Sequence, residues 1–248
     1  MTARRSQTWQ TWDMTSTTGL RARVRAELVQ EIKQEARRQL AQAGAPALSL
    51  RAVARQLGMA SSAIYRYFPS RDDLLTALII DGYDAIGQTA EQADAACPRD
   101  GYTGRWLAVG HAIRAWALAH PHEYALVYGS PVPGYQAPQQ TIGPAARAAT
   151  VYGKIISDAH RAGVLDPPGI CPPPPPQFGP DAAAVRDAVM FDVPDDVAAR
   201  AVVSWAALFG MVSFELFGQF ENVITDRAAF FEHALRCQGC LTGLPAGI

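Results

Sequence analysis

Val24, Leu28, Ile32, Ala36 and Leu40 recur every four residues, and the positions between them are mostly polar or charged. That spacing gathers the apolar groups on one face of an amphipathic helix over residues 23–43. Gly44 and Pro46 end it. Ser49 is a good N-cap for a second helix, whose inward positions are Leu50, Val53, Ala54 and Leu57. Gly58 stands where a left-handed residue would close that helix. A third, short helix is expected over 61–68, with Ile64 and Phe68 facing inward and Pro69 unable to extend it. A fourth starts at Ser70. It carries Asp72 and Asp73 in its first turn, where the helix dipole favours negative charge, and presents Leu74, Leu75, Leu78, Ile79, Tyr83 and Ile86 on one side.

Beyond Gly87 the periodicity loosens but stays helical, over 105–120, 123–128, 141–162, 194–220 and 226–236. Residues 129–138 have the composition of a loop, and the proline-rich stretch 166–180 reads as a surface connector. No run alternates with the period of a strand, so the expected fold is all-α. The longest nearly uncharged apolar run, 201–214, is 14 residues, short of the roughly 20 needed to cross a bilayer. The first 22 residues hold arginines but no apolar core of a secretion signal, and read as a flexible polar tail. With four cysteines in 248 residues, no disulfide framework is expected, and a reducing cytoplasm is the expected location.

Charge sharpens the picture. The chain carries a net charge of −1, but residues 1–75 hold twelve Lys and Arg against six Asp and Glu, leaving ten against seventeen in the remainder. A basic module attached to an acidic body fits that split. Two short helices joined by a glycine turn and braced by a third make a helix-turn-helix, whose second helix lies in the major groove of DNA. Here that helix is 61–68. Ser61, Ser62 and Ala63 are small enough to let its end approach base edges, while Tyr65, Tyr67 and Arg66 can bond phosphates. A plain helical hairpin with an aromatic edge would share the pattern; it would have no need of the basic excess.

The stretch LRAVARQLGMASSAIYRYFPSRDDLL resembles the DNA-binding domain of TetR-family transcriptional regulators. The matching features are Ser49, the run from Ala54 to Gly58, the run from Tyr65 to Phe68, and Arg71 with Leu74. Ala60 departs from the Ser or Thr often found there, so Ser61 is the expected cap, and Arg71 replaces the more usual Lys. The resemblance implies a homodimer with an N-terminal helix-turn-helix at 23–70. It also implies an effector-binding and dimerisation body at 71–248, joined through the helix at 71–87. It places Ser49, Arg51, Ser61, Ser62, Tyr65, Tyr67 and Arg71 against double-stranded DNA at an inverted-repeat operator. The implied function is a repressor released by a small apolar molecule; a regulator without an effector is the alternative. Residues 205–220 also resemble the tryptophan-to-glycine motif of a subgroup with a WHG-type C-terminal domain, with Phe209 in place of its His.

The aromatic residues Trp116, Tyr124, Tyr128, Trp205 and Phe209 read either as helix-bundle core or as the lining of an apolar pocket. Pairing of the last two helices between subunits would bury Val203, Leu208, Val212, Leu216 and Phe230. His233, Cys237 and Cys240 have a spacing that metal or redox chemistry could use, yet they form an incomplete ligand set, and no metal or cofactor is expected. No Ser/His/Asp order, phosphate-cradling glycine loop or convincing carboxylate pair suggests an enzyme.

Overall fold

The computed structural model describes residues 15–166, 168–169, 171–189 and 192–245. Among these residues the regular structure is helical throughout. Helix α1 (Thr15–Ala43) starts eight residues earlier than the periodicity suggests, so part of the expected tail is helix, and the rest of that tail, residues 1–14, lies outside the described residues. Ile32, Ala36 and Leu40 of the four-residue pattern are buried, together with Glu35, whereas Val24 at its start is exposed.

Helix α2 (Leu50–Gln56) is capped at both ends by local chemistry. The Ser49 hydroxyl accepts from the Ala52 amide at 3.4 Å. Gly58, at φ 65°, turns the chain so that its own amide reaches the Arg55 carbonyl and the Met59 amide the Ala54 carbonyl. These are the paired bonds of a Schellman closure, and the positive φ is why a glycine stands there.

The segment after it differs from expectation. Residues 61–67 form successive turns with a single 3₁₀ turn at Ile64–Arg66, not an α-helix over 61–68. The amides of Ala63, Arg66 and Tyr67 each reach back three residues, and only Phe68 reaches back four. Ser61 supplies no side-chain cap to this turn. With Pro69 ending it and no cap opening it, so short a segment tightens to three residues per turn.

Helix α3 (Arg71–Ala95) opens on Ser70, whose hydroxyl accepts from the Asp73 amide and donates to the Asp73 carboxylate. It runs through both halves of the molecule. Leu74, Leu75 and Leu78 complete a small core with α1, α2, Ile64 and Phe68, while Ile86 and Ala90 enter the larger core of the body.

The body comprises α4 (Tyr102–Ala119), α5 (Pro121–Tyr128), α6 (Ile142–Arg161), α7 (Gly179–Val189), α8 (Asp195–Leu216) and α9 (Arg227–Thr242). Helix α7 was not anticipated. The prolines before it masked its short face of Ala182, Val185 and Val189. Helices α3 and α6 cross closely at Gly87, where an added Cβ would stand 2.6 Å from the Arg147 Cβ. Helix α8, at 22 residues, is by length and composition the one described helix able to cross a bilayer. One side of it is packed into the body through Val197, Ala198, Ala201, Leu208, Phe209 and Val212.

Candidate DNA-reading surface and ligand cavity

Ile64 and Phe68 are buried beneath the 61–67 turns and fix them on the small core. The opposite side projects Ser61, Ser62, Tyr65 and Arg66 into solvent, with Ala63 and Tyr67 half-buried beside them. Arg51 and Arg55 extend the exposed basic surface along α2. From α1, the Arg25 guanidinium stands 5.0 Å from the centre of the Tyr67 ring and donates to the Arg66 carbonyl at 3.0 Å. Sequence reasoning missed Arg25; its charge was visible, but its reach across 41 positions to Arg66 was not.

Two residues expected at DNA also bond the protein's own backbone. The Ser49 hydroxyl caps α2. Arg71 is folded back, donating to the carbonyls of Leu48 at 3.2 Å and Ala45 at 2.8 Å, where it pins the loop ahead of α2. In that place the guanidinium braces the loop ahead of α2.

The body holds a cavity of about 280 Å³ between α4, α6, α7 and α8. Trp106, Tyr152, Ile156, Val189, Trp205 and Leu208 are among its walls, and among the described residues no Asp, Glu, Lys, Arg or His lines it. Of the five aromatic residues expected at a pocket, Trp205 lines this one. Trp116 instead stacks on His120, with ring centres 5.0 Å apart. Tyr124 is fully buried, its hydroxyl donating to the Phe209 carbonyl at 3.0 Å and sharing a 2.9 Å hydrogen bond with Ser213. Burial pushes its pKa up to about 12, although the Ser213 bond pulls the other way. Phe209 is buried core, and Tyr128 packs on it at 4.1 Å between ring centres. Burial also raises the Tyr128 and Tyr152 hydroxyls well above the ordinary tyrosine range.

The rings nevertheless form one chain. Trp106 meets Tyr152, Tyr152 meets Trp205, Trp205 meets Phe209, Phe209 meets Tyr128, and Tyr128 meets Tyr83 of α3. Trp106 and Tyr152 went unmarked as cavity residues, because a helical period cannot say which buried face borders a void.

Polar contacts join the two halves. Lys33 and Arg37 of α1 converge on Asp81 of α3 at 2.7 and 2.6 Å, and Arg37 also faces Glu123 of α5 at 4.0 Å. Thr76 and Tyr135 share a 2.9 Å hydrogen bond. Helix α3 is therefore not alone in touching both the DNA-reading unit and the body, since α1 does so through α5. On α9, Cys237 and His233 lie 3.5 Å apart, and among the described residues they belong to no group of three or more metal ligands.

Comparison with known proteins agrees with this arrangement. Residues 32–78 match the bacterial regulatory proteins of the tetR family, and residues 106–237 match the tetracyclin repressor-like C-terminal domain. HTH-type transcriptional regulators of Mycobacterium tuberculosis and Mycobacterium bovis are 37% identical over 220 residues, covering 88% of this chain and 93% of theirs. The crystal structure of the regulatory protein SCO4313 superposes with a TM-score of 0.71 at 35% identity, covering 88% of this chain and 97% of that one. A tetR-family regulatory protein from Rhodococcus RHA1 shares the fold at 17% identity, with a TM-score of 0.58 over 88% of this chain and 97% of its own.

Proposed function

The chain belongs to the TetR family of bacterial transcriptional regulators, and we propose that it is a dimeric cytoplasmic repressor, released from an inverted-repeat operator by a compact apolar molecule. The observation that carries the reading is the exposed row of Ser61, Ser62, Tyr65 and Arg66, held rigid by Ile64 and Phe68 and flanked by Arg25, Arg51 and Arg55. Ser61, Ser62 and Ala63 approach base edges, and the tyrosines and arginines bond phosphates. Ser49 and Arg71 act through the backbone they hold.

Dimerisation uses the outer face of α8 with α9. Val203, Phe214, Phe217 and Phe230 are exposed there, and Gly210 has open space beside its Cα. Exposed apolar side chains on one face favour burial against a second copy, and the glycine admits a close helix. Leu208 and Val212, once expected at this seam, are buried within the protomer.

The switch requires an effector with different affinities for the DNA-competent and released states. The ring chain from Trp205 to Tyr83, together with the Asp81 ion pairs, supports a route from the cavity to α1 and α3. The test is a titration of ligand with and without operator DNA. Linkage requires each to weaken the other by the same factor. A ligand that fills the cavity and leaves operator affinity unchanged would overturn the repressor reading.

A further inference from the structure

Helix α1 leads from the body to the reading surface and then past it. Arg37 faces Glu123 of α5, Lys33 bonds Asp81 of α3, and Arg25 meets Arg66 and Tyr67 of the 61–67 turns. These contacts follow one another in that order along one helix, so its N-terminal direction points away from the body and across the surface proposed to read DNA. The helix begins at Thr15, ten positions before Arg25, and at 1.5 Å per residue it runs on for about 15 Å. Among the described residues nothing covers that front part. Every residue from Gly19 to Glu27 is exposed, Leu28 and Val29 are half-buried, and Ile32 is the first buried hydrophobic residue of the helix. Helical turns without a packed face are marginal in water, and a partner lying along them would hold them.

Charge says which partner. Between Gly19 and Glu27 the chain carries Arg21, Arg23 and Arg25 against Glu27 alone. Two copies of so basic a segment repel each other, whereas a phosphate backbone attracts both. Arg21 precedes Arg25 by four positions and therefore shares its face, one turn farther out. That puts a guanidinium about 6 Å beyond the one that Arg25 holds against Arg66 and Tyr67. From this geometry we infer that the front of α1 is a second DNA-binding element. Arg21 bonds the phosphate backbone outside the half-site spanned by the 61–67 turns, and Arg25 joins the two contact areas. The inference rests on the 61–67 surface being the one that meets DNA. The added contact supplies charge and reach but no base readout, so it lengthens the duplex each subunit covers without narrowing the sequences it accepts.

The probe is an operator duplex selected from a random library with the full-length protein, made in two lengths. One is trimmed to the inverted repeat; the other has base pairs of mixed sequence added at both ends. The native protein should bind the flanked duplex severalfold more tightly and shield backbone beyond the repeat from hydroxyl radicals. Arg21→Ala should lose that gain and that protection, and should lower the slope of log affinity against log salt on the flanked duplex by about one per subunit. Its affinity for the trimmed duplex and its melting temperature should match those of the native protein. Arg21→Lys, which keeps the charge, should restore flanked binding. Native-like binding of the flanked duplex by Arg21→Ala would overturn the inference, as would equal loss on both duplexes. So would self-association of the DNA-free protein that Arg21→Ala abolishes, since the exposed turns would then belong to a second copy. A native protein that selects no duplex would remove the DNA-reading proposal and this inference together. A selected duplex whose flanks add nothing would remove only the contact at Arg21.

Discussion

Arg105, fully buried on α4, donates its Nε–H to the Asp94 carboxylate of α3 at 2.7 Å and an Nη1–H to Asp158 of α6 at 3.0 Å. One guanidinium thus ties together the three helices that form the centre of the body. Burial by itself would raise the Asp94 pKa, but hydrogen bonds from Arg105 and Arg99, with their charges, hold it below the usual carboxylate range. A carboxylate whose folded pKa is depressed contributes stability that is present above its unfolded pKa and lost as pH falls through the folded one. Unfolding free energy from urea melts should therefore drop as the pH falls below the ordinary Asp range, and Asp94→Asn should flatten that drop. Arg105→Met leaves Asp94 with Arg99 and Asp158 with Arg161 as their remaining partners and removes the link between the three helices, and should cost about 3 kcal/mol at neutral pH. A loss under 1 kcal/mol would show the pair to be dispensable.

On the reading surface, Arg51→Ala and Arg25→Ala should weaken binding to all duplexes alike and reduce the slope of log affinity against log salt by about one each. Ser62→Ala should change which bases are preferred and leave the salt slope intact. Arg71→Ala should lower the melting temperature of the free protein as well as its DNA affinity, because the side chain braces the loop at Ala45 and Leu48. Gel shifts across a salt series, paired with thermal melts, separate these outcomes.

The α3–α6 crossing tolerates no extra methyl group at Gly87. A Cβ there meets the Arg147 Cβ at 2.6 Å, and since neither atom can rotate away, one helix must shift. Gly87→Ala should destabilise the fold by about 1–3 kcal/mol. Arg147→Ala, which removes the partly exposed pairs with Asp84 and Glu91, should cost only about 0–1 kcal/mol. Equal losses from the two changes would contradict the packing argument.

The seam is tested at Gly210. Gly210→Arg places a long charged side chain where a second α8 would approach, and should convert the dimer to monomer at micromolar concentration. Phe214→Glu should do the same from the neighbouring turn. Sedimentation velocity gives the answer directly, and a dimer that persists in both variants would move the interface elsewhere.

The features legible in the amino-acid order are those set by neighbours a few positions apart. Ser49 and Ser70 cap their helices, Gly58 closes α2 and Pro69 stops the turn after it, because each acts on backbone groups within three or four residues. The four-residue apolar rhythm placed Ile32, Ala36 and Leu40 in the core for the same reason. Short range also explains the misjudged turns at 61–67, where α and 3₁₀ bonding differ by one residue of reach and little energy. Tertiary structure decided what lies across the molecule. It turned Arg71 back onto the loop before α2, brought Arg25 over Tyr67, and joined Arg105 to carboxylates 11 and 53 positions away. It also separated Trp205, beside a void, from Tyr124, sealed in the core, though both are aromatic residues on apolar helix faces. Periodicity states which side of a helix avoids water. Whether that side meets a neighbour, a cavity or a second copy depends on how all the helices fill space together, and no single stretch of chain carries that information.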